Sequence, residues 1–101
     1  MNLYLVHCGF YDPEICEGIF EFHTNFFVVA QDFENARLNV KNIPEFKLKR
    51  MHIDGVQQIT AVLGYRVILL EVAELNGKSV VKNHNFRELA QLKGTTKPSN
   101  F

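Results

Sequence analysis

The chain changes its hydrophobic period several times, and each change marks an element. "NLYLVHC", residues 2–8, alternates in hydropathy and is rich in β-formers, which predicts a first strand. "GFYDPEICEG" breaks it, because Gly9, the Asp12-Pro13 step and Gly18 supply turn chemistry. "IFEFHTNFFVVA" returns to a period of two. Phe20, Phe22, Phe26 and Val28 fall on one face and Glu21, His23 and Asn25 on the other, and the polar "HTN" predicts a bulge or bend. In "QDFENARLNVKN", Phe33, Ala36 and Val40 recur at the spacing of one helix face. Asp32 is placed to cap that helix, with Glu34 in its first turn, where the helix dipole favours a carboxylate. Pro44 in "IPEF" is expected to end it, and "KLKR" reads as a solvated approach to the next strand.

"RMHIDGVQQI" alternates again, with Met51 and Ile53 pointing one way and His52 and Asp54 the other. Gly64 predicts a turn before "YRVILLEVAEL", whose apolar run reads as a central strand. Asn76-Gly77 is the strongest hairpin signal, expected to return "KSVVK" antiparallel to that strand. "NHNFRELAQL" reads as a short C-terminal helix capped by Asn83 or Asn85, followed by a flexible tail over 94–101. The expected fold is α+β in two layers, in one domain over 1–93. A mostly antiparallel sheet of four to five strands, in β-β-α-β-β order, carries one main helix on one face.

Bulk properties narrow the class. A chain of 101 residues suits one domain with a modest core, and nine phenylalanines without tryptophan suggest that aromatic bulk fills it. A formal net charge of zero argues against a nucleic-acid partner, since such proteins usually carry a basic balance. The charges are nonetheless segregated. Residues 1–36 hold Asp12, Glu14, Glu17, Glu21, Asp32 and Glu34 and no Lys or Arg, while all eleven basic residues follow. Such a dipole suits self-association or a charged partner, although folding can equally intermix the halves. The N-terminus lacks the basic region of a signal peptide, and no apolar run reaches the roughly 20 residues of a membrane span. A soluble cytoplasmic protein with free thiols at Cys8 and Cys16 is therefore expected.

Candidate chemistry concentrates in two places. His7, Cys8, Cys16 and His23 invite a zinc reading, but structural zinc prefers closely paired ligands, and adjacent strand residues such as His7 and Cys8 leave opposite faces. Cys8 reads as a small core residue and Cys16 as part of a loop, and no ordered nucleophilic triad emerges. His52 and Asp54, two apart on a strand, share a face. If the face bearing His23 abuts theirs, the three form a cluster able to hold a metal, to act as an acid–base pair, or only to hydrogen-bond two strands together. The last is favoured, so no metal and no cofactor is expected, with His23, His52 and Asp54 as the alternative metal set. Phe20, Phe22, Phe26, Phe27 and Tyr4 could form a stacking platform for single-stranded RNA, but they lack basic flanks and read as core. Lys47, Lys49 and Arg50 could touch a phosphate and read as an ordinary solvated loop.

"FEFHTNFFVVA", "RMHID" and "LGYRVILLE" together resemble an uncharacterised bacterial family, the domain-of-unknown-function family 1543. The resemblance covers about residues 1–72 and rests on Gly9, Glu21, His23, Phe27, Val28, Val29, His52, Ile53, Asp54, Gly64, Tyr65 and Arg66. It implies His23, His52, Asp54 and Tyr65 as site candidates and sets His7, Cys8 and Cys16 aside. The chain departs from that pattern at "CGF" in place of a Gly-Gly step, at Val56 in place of an aromatic residue, and at Leu63 where Asp precedes the glycine. No catalytic motif stands out. The expected function is a binding or interaction module that forms a homodimer, through an edge strand or the 65–82 hairpin. The alternative is a small metal- or acid–base-dependent enzyme using His23, His52 and Asp54, with Tyr65 nearby. Neither a membrane nor a nucleic-acid partner is expected, and no small-molecule ligand is indicated.

Overall fold

Ten residues of alternating hydropathy make the first strand, β1 (Asn2–Tyr11), in a computed structural model that describes residues 1–85. The strand runs through Gly9 instead of breaking there, because its ladder to the next strand continues to Tyr11. A single 3-10 turn, Cys16–Gly18, leads into β2 (Glu21–Ala30). The two strands pair antiparallel without interruption from Asn2–Ala30 to Tyr11–Glu21, so the bulge expected at "HTN" is absent from β2.

Helix α1 (Phe33–Lys41) starts as its sequence requires. Asp32 is extended (φ −152°), and its side chain accepts a hydrogen bond from the Asn35 N–H at 2.8 Å, satisfying an otherwise orphaned donor. Ala36 and Val40 are buried on its inner face. Pro44 does not simply end this helix. It opens a second one, α2 (Pro44–Leu48), where the fixed φ and missing N–H of proline suit the first turn and where Phe46 is buried. Strand β3 (His52–Gln58) then pairs antiparallel with β1, giving the order β2-β1-β3. α1 packs across this sheet, and Tyr4, Val6, Cys8, Ala30, Ala36, Val40, Phe46 and Met51 form the core. The fold is α+β, as expected. Phe10 and Phe26 pack against the core, whereas Phe20 and Phe27 are exposed, so the phenylalanines do not all turn inward.

The ladder slips once. Cys8 pairs with Ile53 and His7 with Gly55, which leaves Asp54 as an extra residue on β3. This bulge lets Ile53 and Val56, three apart, both pack against the core while His52 and Asp54 stay exposed.

Among the described residues the five strands divide between two sheets. β4 (Ala61–Val62) and β5 (Tyr65–Arg66) form a tight hairpin in which Leu63 (φ +51°) and Gly64 (φ +85°) are both left-handed, as a two-residue loop of this type requires. "YRVILLEVAEL" is not a central strand. Its ladder stops at Arg66, and Ile68 and Leu70 are 80% and 83% exposed. An apolar run of this kind becomes a central strand only where two neighbours flank it, and the second sheet among the described residues has just two strands.

The chain divides into two units, Met1–Leu70 and Glu71–Phe101. In the second, Ala73–Leu75 forms a 3-10 turn, and Asn76 (φ +48°) and Gly77 (φ +74°) build the expected tight turn, closed by the Lys78 N–H on the Leu75 carbonyl at 2.9 Å. The flanking segments do not pair into the expected hairpin; "KSVVK" carries no strand. The C-terminal helix and the 94–101 tail fall essentially beyond Asn85, outside the described residues.

Candidate functional site

The face of the sheet opposite the helices carries the polar residues of three strands. The register of β1 with β2 places His7 opposite Asn25, Gly9 opposite His23 and Tyr11 opposite Glu21. On the other side Gly9 pairs with His52. Gly9 thus lies on the central strand between two rows of titratable side chains. Its lack of a side chain makes the site. A Cβ there would lie 2.5 Å from Glu21 Oε1, 2.5 Å from His52 Nε2 and 2.9 Å from Asp54 Oδ2. The groups from both flanks fold over the glycine into the space that any other residue would fill.

His23 Nε2 lies 2.8 Å from Glu21 Oε1 and 3.5 Å from Asp54 Oδ2. His52 Nε2 lies 3.2 Å from the same Glu21 oxygen and 3.2 Å from Asp54 Oδ1. The bulge at Asp54 is what directs this carboxylate, from the β3 side, towards His23 on β2. Tyr11 donates its hydroxyl to Glu21 Oε2 at 3.0 Å, leaving Oε1 for the histidines. That bond, followed by those from His52 and His23, holds the Glu21 carboxyl below its usual range against an opposing desolvation cost. The same bond raises the Tyr11 phenol, since it favours the protonated form. His7 stacks on His23 with ring centroids 4.9 Å apart, and its Nδ1 lies 2.7 Å from Asn25 Oδ1.

Three of the four sequence candidates therefore converge: His23, His52 and Asp54. Tyr65 does not join them. It is 79% exposed on β5, in the hairpin that follows the Gln58 end of β3, whereas His52 lies at the other end of that strand. Sequence reasoning passed over Glu21 and Tyr11 as site residues and set His7 aside with the cysteines. The signal was present in the alternation of Glu21, His23 and Asn25 and of His7, Gly9 and Tyr11, but it becomes a site only once the β1–β2 register is known. Cys8 is buried beneath the sheet, with its thiol pushed up by burial and then by the charge of Asp54, and Cys16 is exposed; both are free. Lys49 is engaged by Glu45 at 3.1 Å and lies over the Phe10 ring.

Fold and site define a small α+β domain with a histidine–carboxylate cluster on its open sheet face. No family model, no curated protein and no solved structure matches the chain. Among the described residues no helix is long and apolar enough to cross a membrane.

Proposed function

We propose that the chain is a small binding module that self-associates as a homodimer and uses its open sheet face as the ligand surface. The observation that carries self-association is the apolar run that follows β5. Ile68 and Leu70 are each at least 80% exposed. Isolated exposed apolar residues are ordinary, but a run of β-branched and aliphatic side chains with no ladder partner among the described residues suits burial against another chain. A second copy supplies such a partner reciprocally, through the run itself or through an open edge of the three-stranded sheet. Light scattering coupled to size exclusion tests this reading. The wild type is expected to elute as a dimer, and Ile68→Lys with Leu70→Lys as a monomer. A wild-type monomer at the highest soluble concentration overturns it. Two free thiols support a reducing, cytoplasmic setting. The likeness to family 1543 stands beside this as a proposal, supported by Gly9, Glu21, His23, His52 and Asp54.

The convergence of His23, His52 and Asp54 favours a second reading, a small enzyme with acid–base chemistry at the cluster. An imidazole between carboxylates can take up and return a proton. A panel of ester, phosphoester and amide substrates separates the readings. Turnover present in the wild type and lost in His52→Ala supports the enzyme, and equal background in both opposes it.

A further inference from the structure

We propose that Glu21, His23, His52 and Asp54, converging above Gly9, form a binding site for one first-row divalent transition-metal ion. Three observations carry this. The first is a mismatch of protons and acceptors. Each imidazole Nε2 carries at most one hydrogen, yet each faces oxygens from two carboxylates within 3.5 Å. One hydrogen serves one acceptor well, so two carboxylates crowd each nitrogen around a single proton, with partly exposed side chains leaving the remaining oxygen lone pairs to water. A cation at the centre, bound by two nitrogen lone pairs and two carboxylates, satisfies all four side chains together.

The second observation is spacing. Ligands about 2.0–2.2 Å from a tetrahedral zinc lie roughly 3.4 Å from one another. The four nitrogen–oxygen separations here run from 2.8 to 3.5 Å, close to that spacing. The ligand atoms of Glu21, His52 and Asp54 all lie within 4.8 Å of one another, as do those of His7, His23 and Asp54, so the two sets meet at Asp54. The third is the space at Gly9, where the backbone is bare and three of the four side chains come within 2.9 Å of the missing Cβ position.

The donors name the class of ion. Two imidazoles and two carboxylates suit zinc, manganese or iron, whereas calcium and magnesium prefer oxygen ligands throughout. Neither cysteine belongs to the set: Cys8 is buried and Cys16 lies in the loop before β2. Tyr11 holds the second oxygen of Glu21 as a positioning residue, and His7, stacked on His23, brings a further ring nitrogen within 4.8 Å of the His23 and Asp54 ligand atoms. The inference deepens the cluster-based reading by naming its ligand, and requires neither turnover nor dimerisation.

Calorimetry on the untagged full chain, stripped with chelator and titrated with zinc, manganese and calcium chlorides, tests it. One zinc or manganese per chain is expected, with no calcium uptake. His52→Ala and Asp54→Asn are expected to weaken binding at least about 100-fold and Gly9→Ala to weaken it by filling the cradle, whereas Tyr65→Phe leaves it unchanged. NMR keeps the test independent of variant folding. In the wild type the ring signals of His23 and His52 shift on zinc addition and those of His84 stay. Absence of zinc and manganese binding overturns the proposal, as does stoichiometric binding that survives His52→Ala and Asp54→Asn or leaves the His23 and His52 signals unmoved. Because binding and turnover are read separately, a metal-free result leaves the substrate panel to decide on acid–base chemistry.

Discussion

Gly9 and Glu21 show how much a single position decides. Gly9 has ordinary strand pairing on both sides and is not in a left-handed conformation; what matters is the missing Cβ. Gly55, two residues past Ile53, has nothing within 4 Å of the corresponding position, so a glycine in β3 carries no such demand. Glu21 is held by three donors, of which the Tyr11 hydroxyl has the largest effect on its acidity. In the metal-free protein, Tyr11→Phe is expected to move the Glu21 pKa up towards the ordinary value of about 4.3, read from its side-chain carboxyl carbon by NMR titration. The sign for stability follows. A depressed folded-state pKa stabilises above the unfolded value and loses that contribution as pH falls through the folded value. Acid unfolding of the variant should therefore begin at higher pH than that of the wild type, and an unchanged acid limb would count against the Tyr11 bond. His23, His52 and Asp54 were legible in the sequence because residues two apart on a strand share a face. Glu21 was equally periodic, but its importance depends on Gly9, and the absence of a side chain leaves no mark in a hydropathy pattern.

Elements follow their local signals where those signals concern the backbone itself. Asp32 caps α1 as its side-chain chemistry dictates, and Asp32→Ala is expected to cost about 1 kcal/mol in urea denaturation. The Leu63-Gly64 turn shows a local conflict. Leu63 adopts φ +51°, a conformation in which the Cβ crowds the following carbonyl oxygen and in which leucine, unlike asparagine, has no polar group to bond the local backbone; it is almost fully exposed, so packing gives nothing back. Leu63→Asn is expected to favour the turn by about 1 kcal/mol, seen as roughly five-fold slower hydrogen exchange at the Val67 N–H, which bonds the Thr60 carbonyl at 2.9 Å. Faster exchange in the variant would show that Leu63 contributes something to the native state that the turn geometry does not reveal. Pro44 shows the limit of such signals. A proline after a helix reads equally as a stop or as the first residue of the next helix, and the burial of Phe46 chose the second. Asn76-Gly77 likewise built its turn, but a turn supplies a reversal and not the pairing on either side of it.

For the molecule, the layered arrangement sorts chemistry into inside and outside. Cys8 lies in the core with Tyr4 and Val6, and Cys16 in an exposed turn, although both fall in the same short stretch of sequence. Alkylation at about pH 8 is expected to modify Cys16 rapidly and Cys8 only on unfolding, since burial both blocks the Cys8 thiol and raises its pKa. Mass spectrometry of peptides cleaved after glutamate, which part the two cysteines at Glu14, checks this, and equal labelling of both in the native protein would contradict the burial of Cys8. The apolar run past Arg66 marks where sequence reasoning failed most plainly. Its composition is that of a buried strand, yet Ile68 and Leu70 are exposed in this chain, because burial depends on neighbours and composition does not supply them. What the sequence by itself determined was the class of the fold, the first three strands, the capped helix, and which face of each strand would be polar, since strand and helix periods are properties of adjacent residues. Only the tertiary structure decided that Gly9 lies between β2 and β3, that a bulge directs Asp54 towards His23, and that Tyr65 stays apart. Those facts depend on register between strands distant in the chain, and register is fixed by packing across the whole sheet.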